Sequence, residues 1–484
     1  MISTVDTHRE IPSDVFHIGL VNPLERITPY HGINFANMST LWQIYEPIYR
    51  STIRGEVEPV LLDYPLRREA NGPGGSTVYS AAVQPGHFFS DGTEVTADRI
   101  VSSLQKTPSF MNEASVSARD NRVFFTLKRP NANFKFTLGR HDYPIVLEHD
   151  NTYLGTGPYM FAANAAPEGF RLIRNPYYKG GVGPREVICT IYPIDQEGGR
   201  TKLRDAVRRG DVDFTEDLSR EELNSVQSMR KFIDLGFCTA ILFFNTERLL
   251  FADRRVRWAF AHAIDRKALA GQSYSNALAF AASGLLPPSL GSSPDGLMTN
   301  LTRAKELLSE ANVKPPADPL MLFVVPVPRP HLPQPCATAE MLVSQFGQLG
   351  FQFQIRQARN VAEYYDIGSK GSYDLLLSGW IPDSSDPLDF MEAVLASYRI
   401  PLTSTGETAG HNMSRWTNAA VDEALQSQRT QPSENTWKRI CDLASKEMPL
   451  VPLMYGPRVA LVSWRVKKFP RNFSYRPFLS EIEL

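Results

Sequence analysis

The sequence contains few cysteines, and all of them lie far apart, at Cys189, Cys238, Cys336 and Cys441. No CxxC pair or other close spacing of zinc ligands exists, so neither a disulfide scaffold nor a structural zinc site is predicted. The nine histidines are also dispersed, and no two share the i, i+4 spacing of a helical metal site. We therefore expect no metal and no cofactor.

An excess of charge of one sign is missing as well. Lys and Arg number 51 and Asp and Glu number 52, which excludes the overall basic character of a dedicated nucleic-acid binder. No apolar run approaches the roughly 20 residues that span a bilayer, and the first 20 residues have no basic stretch followed by an apolar one. Either the protein is cytoplasmic, or a targeting segment lies outside this sequence.

Catalytic signatures are absent from the sequence. It has no HExxH, no GxSxG and no GxxxxGK[ST], and Gly155-Thr156-Gly157 lacks the third glycine of a dinucleotide loop. We therefore expect a protein that is not an enzyme.

The 484 residues suffice for about three domains, and strand-like and helix-like segments alternate as in α/β proteins. Thr96 is a candidate N-cap for a helix over 97–104, and apolar spacing predicts one helix over 254–269. Residues 341–349 read as a helix and 373–378 as a buried strand. Eight prolines between Pro315 and Pro335 exclude a helix or the interior of a central strand there and predict an extended path.

Several segments, taken in order, resemble the family 5 extracellular solute-binding proteins, the receptors for peptides, nickel chelates and related ligands that serve ABC transporters. One alone would be weak, but their shared order from residue 85 to residue 387 is specific. The segments that carry the resemblance are PGHFFSDGTEVTADRIVSSL at 85–104, GTGPY at 155–159, RNPYY at 174–178, RGDVD at 209–213, FNT at 244–246 with VR at 256–257 and AID at 263–265, and Tyr373 with Gly379-Trp380 and Asp386-Pro387.

The resemblance implies an α/β fold of two lobes, like that of periplasmic binding proteins, with an extra α/β subdomain on the first lobe and the ligand enclosed between the lobes. Lobe I would comprise 1–48, 167–245 and 456–484, the extra subdomain 49–166, and lobe II 246–455. About 118 residues is short for the extra subdomain, which leaves its role open.

Within the family, the dipeptide-binding members look closest over two stretches. VPVPRP at 325–330 resembles the segment whose arginine pairs with a peptide carboxylate, which makes Arg329 the candidate. Trp380-Ile381-Pro382-Asp383 resembles the segment whose aspartate receives a peptide α-ammonium, which makes Asp383 the second candidate. Trp380 could form an apolar wall for a ligand side chain or belong to the core. An arginine fork and an aspartate together suit a zwitterion of limited length.

The resemblance therefore implies a monomeric solute receptor of an ABC importer, with a small peptide or peptide-like solute and the permease subunits as partners and no nucleic acid. It would be periplasmic or extracytoplasmic. The alternative is a cytoplasmic ligand sensor, related to the solute-binding domain of certain transcription regulators. The sequence lacks the DNA-binding helix-turn-helix of those regulators, and it shows no targeting segment, so both readings stay open.

Overall fold

The computed structural model describes residues 14–21, 29, 40–69, 72, 75–150, 152–163, 168–181, 183–193, 199–216, 225–273, 279–291, 294, 296–325, 329–382, 384–402, 411–473 and 476–484. The chain divides into two compact units. Unit 1 consists of Met1–Arg129, Phe134–Ile233 and Val459–Leu484, and unit 2 consists of Pro130–Asn133 and Asp234–Arg458. Each unit is thus assembled from segments that are distant in the sequence.

The unit boundaries fall inside two long strands, β14 (Met229–Phe244) and β19 (Leu450–Ser463). The described part of unit 1 contains thirteen further strands and four helices. Its strands are β1 (Val15–Leu20), β2 (Tyr49–Ser51), β3 (Val57–Pro59), β4 (Arg67–Arg68), β5 (Val78–Ala82), β6 (Ala114–Arg119), β7 (Arg122–Leu127), β8 (Val146–His149), β9 (Thr152–Gly155), β10 (Tyr159–Phe161), β11 (Gly169–Arg174), β12 (Glu186–Ile191) and β13 (Phe214–Thr215). Its helices are α1 (Ala97–Gln105), α2 (Pro108–Met111), α3 (Phe134–Thr137) and α4 (Gly199–Arg209), with a 3-10 turn at Leu479–Glu481.

Unit 1 has two principal sheets. In the first, the order is β10-β11-β12-β1-β13 followed by the last part of β19, and β1 is parallel to both of its neighbours. The second is the antiparallel sheet β4-β5-β7-β6. Helix α1 covers it, since Ile100 and Leu104 belong to one fully buried apolar cluster with Val123 and Phe125 of β7.

Unit 2 contains β15 (Phe280–Ala281), β16 (Leu320–Val324), β17 (Phe353–Gln357) and β18 (Leu375–Trp380) besides its shares of β14 and β19. Its sheet has the order β19-β14-β18-β16-β17. Strand β16 is parallel to β17 and β18, whereas β18 is antiparallel to β14. Its helices are α5 (Leu249–Ala252), α6 (Arg254–Ala263), α7 (Arg266–Ser273), α8 (Leu301–Glu310), α9 (Pro335–Gly347), α10 (Val361–Lys370), α11 (Pro387–Leu395), α12 (Ala419–Thr430) and α13 (Glu434–Glu447), with 3-10 turns at Pro288–Leu290 and Ser397–Arg399.

Some predicted elements are confirmed and others are wrong. The Thr96 side chain accepts a hydrogen bond from the Arg99 amide, so the predicted N-cap of α1 is confirmed. The single helix predicted over 254–269 is wrong, because the backbone of Ile264 is extended and two helices, α6 and α7, replace it. Asp265 begins the second helix, since its carboxylate accepts from the Ala268 amide. The helix predicted over 341–349 begins earlier, at Pro335, where proline suits the first turn.

Glu46 is a buried carboxylic acid of unit 1. It accepts hydrogen bonds from the Thr156 hydroxyl at 3.1 Å and the Tyr178 hydroxyl at 3.3 Å. Burial nevertheless raises the pKa of Glu46 from 4.5 to about 7, against the opposing effects of these two hydrogen bonds and of the Arg50 charge. The folded protein therefore binds a proton here more tightly than the unfolded chain does.

We expect Glu46→Gln to gain stability over the wild type as the pH rises. Because the folded-state pKa is the higher one, the contribution of Glu46 to stability is complete below pH 4.5 and is lost as the pH rises through about 7. At about 1.4 kcal/mol per pKa unit, the loss amounts to roughly 3 kcal/mol, which the neutral glutamine avoids.

Urea unfolding of both proteins at pH 4.5 and pH 8 measures the effect. The exposed Glu94 supplies the matched control, since Glu94→Gln makes the same substitution at a carboxyl that folding leaves exposed. If the difference in unfolding free energy between Glu46→Gln and the wild type is the same at both pH values, this carboxyl does not take up a proton on folding.

Candidate functional site

The carboxyl ends of two parallel strands in unit 2 position the candidate residues. In β16 and β18, Leu322 is paired with Leu375 and Val324 with Leu377. Arg329 follows β16 by five residues, and Trp380 is the last residue of β18. Because the carboxyl ends of parallel strands lie at one edge of the sheet, both residues belong to that edge, where α/β proteins commonly bind ligands.

Arg329 is half-buried in a tight turn, in which its backbone amide donates to the Leu332 carbonyl and its carbonyl accepts from the Leu332 amide. Among the residues that the structure describes, no carboxylate forms an ion pair with its guanidinium. Its charge reaches both Tyr364 and Tyr365 of α10, where it opposes the rise in pKa that burial causes. Arg329 is therefore a cation held beside aromatic rings and available to an anionic group.

Trp380 is half-buried and belongs to an aromatic group at the same strand end. Its ring centroid lies 4.4 Å from that of His411, which in turn lies 6.2 Å from that of Tyr365. The indole Nε1 is buried and finds no hydrogen-bond acceptor within the described ranges. Tyr364 is anchored beside this group, because its hydroxyl donates to Ser378 of β18 at 3.3 Å. The rings form a cluster with one unused N–H donor, and the apolar wall predicted for Trp380 stays a prediction.

Asp383 lies outside the described residues, so its predicted role stays a prediction. The following residues begin helix α11. Asp386 caps this helix by accepting from the Leu388 amide at 3.0 Å, and it accepts a second hydrogen bond from the Asn133 side chain at 2.8 Å. Burial raises the pKa of Asp386. Asp386 thus has a structural role and is not a substitute for Asp383.

His331 is a residue of this edge that sequence reasoning missed. It is 6% exposed, and neither ring nitrogen has a hydrogen-bond partner among the described residues. Burial and the nearby Arg329 charge lower the pKa of His331 to about 3, so the imidazole is neutral at physiological pH. A lone histidine two residues after an arginine has no spacing that marks it as functional.

Searches for other kinds of site in the described part of the chain are negative. There, no three His, Cys, Asp or Glu side chains are grouped as metal ligands would be. Cys189, Cys238 and Cys441 are buried cysteines and Cys336 is a half-buried one, and none forms a disulfide within the described residues. The helices within the described ranges are too short or too polar for any of them to cross a bilayer.

The motifs that carry the family resemblance mostly stabilise the fold. The Asn245 side chain donates to the carbonyls of Gly371 and Tyr373 at 3.0 and 2.8 Å. The buried Arg257 guanidinium donates to the backbone carbonyls of Phe251, Ala252, Glu447 and Met448, which joins α5 to the end of α13.

In unit 1 two further motifs are joined directly. The Asn175 side chain donates to the Gly157 carbonyl at 2.9 Å. A Cβ at Gly157 would lie 2.4 Å from the Gln43 carbonyl oxygen, so only glycine allows this approach. Asp213 accepts from the His17 amide at 2.8 Å and pairs with Arg465. These residues are structural, which separates them from Arg329 and Trp380.

The sequence matches a known protein family. The sequence pattern of the family described as bacterial extracellular solute-binding proteins, family 5 Middle, matches residues 75–401. The heme-binding protein A of Haemophilus influenzae is 24% identical over 385 residues, which cover 74% of this chain and 68% of that protein. The probable ABC transporter periplasmic-binding protein SapA of Escherichia coli is 26% identical over 384 residues, covering 74% of this chain and 67% of that protein.

A solved structure shows the likeness of fold over nearly the whole chain. The dipeptide-binding protein of Pseudoalteromonas sp. SM9913, in complex with Met-Leu, has a TM-score of 0.80 and is 19% identical, covering 97% of this chain and 99% of that one. The predicted fold class, an α/β fold like that of the two-lobed periplasmic binding proteins, is thereby confirmed. From the pattern matched over residues 75–401, the chain belongs to the family 5 bacterial extracellular solute-binding proteins.

Proposed function

We propose that this protein is the solute receptor of an ABC importer and binds a small peptide or peptide-like ligand. The observation that carries the proposal is Arg329, a half-buried cation without a carboxylate partner in the described part of the chain, at the ligand-binding edge of a family 5 fold. The names of two relatives support it, since one is an ABC transporter periplasmic-binding protein and the other binds the dipeptide Met-Leu.

Different side chains would bind the two charged ends of the ligand. Arg329 would give the carboxylate two parallel charge-assisted hydrogen bonds, and Asp383 would accept from the α-ammonium. Trp380, with His411 and Tyr365 beside it, would face an apolar ligand side chain. The proposed ligand is therefore a short zwitterion rather than a long peptide.

The proposal includes the cellular setting and the domain division. The receptor would act as a monomer outside the cytoplasm, deliver its ligand unchanged to the permease subunits, and need no cofactor. Its lobes would follow the divisions predicted above, with 49–166 as the extra subdomain. The named relatives are binding proteins, and they do not support the alternative of a cytoplasmic ligand sensor.

Mass spectrometry of whatever co-purifies with the protein, followed by calorimetry with defined dipeptides, tripeptides and haem, tests the function. We expect a small peptide or peptide-like molecule at one per chain, recovered chemically unchanged after prolonged incubation. Binding of haem alone, or steady conversion of the ligand to a product, would overturn the proposal.

A further inference from the structure

The imidazole of His331 is buried and has no protein hydrogen-bond partner among the described residues. The side chain is 94% buried at a relative exposure of 6%, and both Nδ1 and Nε2 are enclosed without a donor or acceptor within the described ranges. A buried polar group in this condition destabilises the folded protein relative to one that has a hydrogen-bond partner. Such groups in folded proteins normally have a partner, which a bound molecule can supply.

The position of this ring ties it to the candidate site. A Cβ added to Gly379 would lie 2.6 Å from Cδ2 of His331, so the ring rests directly on β18 where that strand has no side chain. The next residue, Trp380, points to the opposite face because successive side chains of a strand alternate. Its Nε1 is also buried without an acceptor in the described part of the chain. Unused N–H donors therefore flank both faces of the end of β18.

The charge of Arg329 reaches the residues of both faces. It lowers the pKa of His331 on one face and acts on Tyr364 and Tyr365 of α10 on the other. Arg329 and the indole of Trp380 can only donate hydrogen bonds, and a neutral imidazole has one donor and one acceptor. The set is rich in donors and has no carboxylate bonded to it among the described residues, which suits an anionic ligand group with several acceptor sites.

We infer that His331 is a specificity-determining residue of the peptide site, donating a hydrogen bond from its imidazole N–H to the ligand carboxylate that Arg329 pairs with. This inference rests on the proposed function and adds a residue to it. The remaining ring nitrogen accepts from an N–H of the same ligand. A peptide whose carboxylate is amidated loses the charge and one of the acceptors, so it should depend less on His331.

The first test needs no ligand. His331→Leu replaces the imidazole with an apolar side chain of similar volume, and removal of two unsatisfied polar atoms should raise the unfolding temperature of the empty protein. Thr338→Val is the matched control in the same unit, since the Thr338 hydroxyl donates to the Gln334 carbonyl at 2.9 Å and contacts Ser273 at 3.0 Å. That variant should unfold at a lower temperature and keep its affinity.

The second test uses calorimetry with Met-Leu and with its C-terminal amide. We expect His331→Leu to bind Met-Leu roughly tenfold or more weakly than the wild type, and to change the affinity for the amide by a smaller factor. His331→Gln, which keeps a donor and an acceptor, should recover part of the Met-Leu affinity and also serves if the leucine variant fails to fold.

The outcomes separate this inference from the function on which it rests. A lower unfolding temperature of the empty His331→Leu protein would show that the imidazole has an internal partner, and would overturn the inference. Wild-type affinity for Met-Leu in both His331 variants would also overturn it while leaving the receptor function standing. If the wild type binds neither Met-Leu nor any of the other dipeptides and tripeptides, both the proposed function and this inference are wrong.

Discussion

Arg329→Ala should weaken the binding of a zwitterionic peptide by about 30- to 4,000-fold. Loss of one partner of an enclosed, hydrogen-bonded charge pair costs about 2–5 kcal/mol, because the ligand carboxylate is then desolvated without a counter-charge. The stability of the empty protein should change little, since the Arg329 side chain has no hydrogen bond or ion pair with the described residues. Calorimetry with the identified peptide measures the first effect and thermal unfolding the second.

Three further variants make this result specific. Arg329→Lys keeps the charge but loses the planar fork, so an intermediate loss of affinity is expected. Asp383→Ala should weaken the same peptide by at least tenfold, and an N-acetylated peptide should not respond to it. Arg303→Ala removes an exposed arginine of α8 that pairs with Glu306 and Glu310, and it should bind as the wild type does. Wild-type affinity in both Arg329→Ala and Asp383→Ala would remove this site assignment.

The fold class could be predicted from the sequence because its motifs occur in order, but individual elements could not all be predicted. Strand β16 is the clearest case. It occupies five of the six residues between Pro319 and Pro326, and it pairs with β17 on one side and β18 on the other. Proline removes a backbone donor only at its own position, so a short central strand fits between two prolines. A reading that treats the proline-rich stretch as one unit misses it.

The break between α6 and α7 shows a second limit of pattern reading. Apolar residues continue at helical spacing through Ala263, Ile264 and Leu269, and neither glycine nor proline marks the interruption. The break is visible only in the cap, where Asp265 accepts from Ala268 and Asp265's own amide donates to Gln345. The spacing of apolar residues predicts which face of a helix is buried, but it does not predict where the backbone turns. Tertiary contacts such as these decide that.

Some residues of the candidate site could be predicted from the sequence, and one could not. Arg329 and Trp380 could be named because the residues around them resemble a family segment, and the structure places both at the end of parallel strands. His331 could not be named. What distinguishes it is the absence of partners for its nitrogens and the contact with Gly379, and both depend on residues about 50 positions away in the sequence.

The second large effect expected is on stability, at a buried ion pair of unit 2. Glu392 of α11 and Arg429 of α12 have side chains that are 4% and 5% exposed, and two hydrogen bonds of 2.6 and 2.7 Å join them. Arg399, which is 36% exposed, also donates to Glu392 at 3.2 Å. The pair fixes two helices of unit 2 side by side.

Glu392→Met should lower the free energy of unfolding by about 3–5 kcal/mol, because it removes the carboxylate that two hydrogen bonds join to the buried Arg429. Arg429→Met should cost less, because Arg399 still pairs with Glu392. The double variant should recover most of the Glu392→Met loss, since two methionines fill a similar volume and leave Arg399 free to reach water. Glu310→Met, which breaks an exposed pair with Arg303, should cost less than about 1 kcal/mol. Calorimetric unfolding of the four variants measures these differences, and single-variant losses as small as that of Glu310→Met would show that water reaches the Glu392 carboxylate.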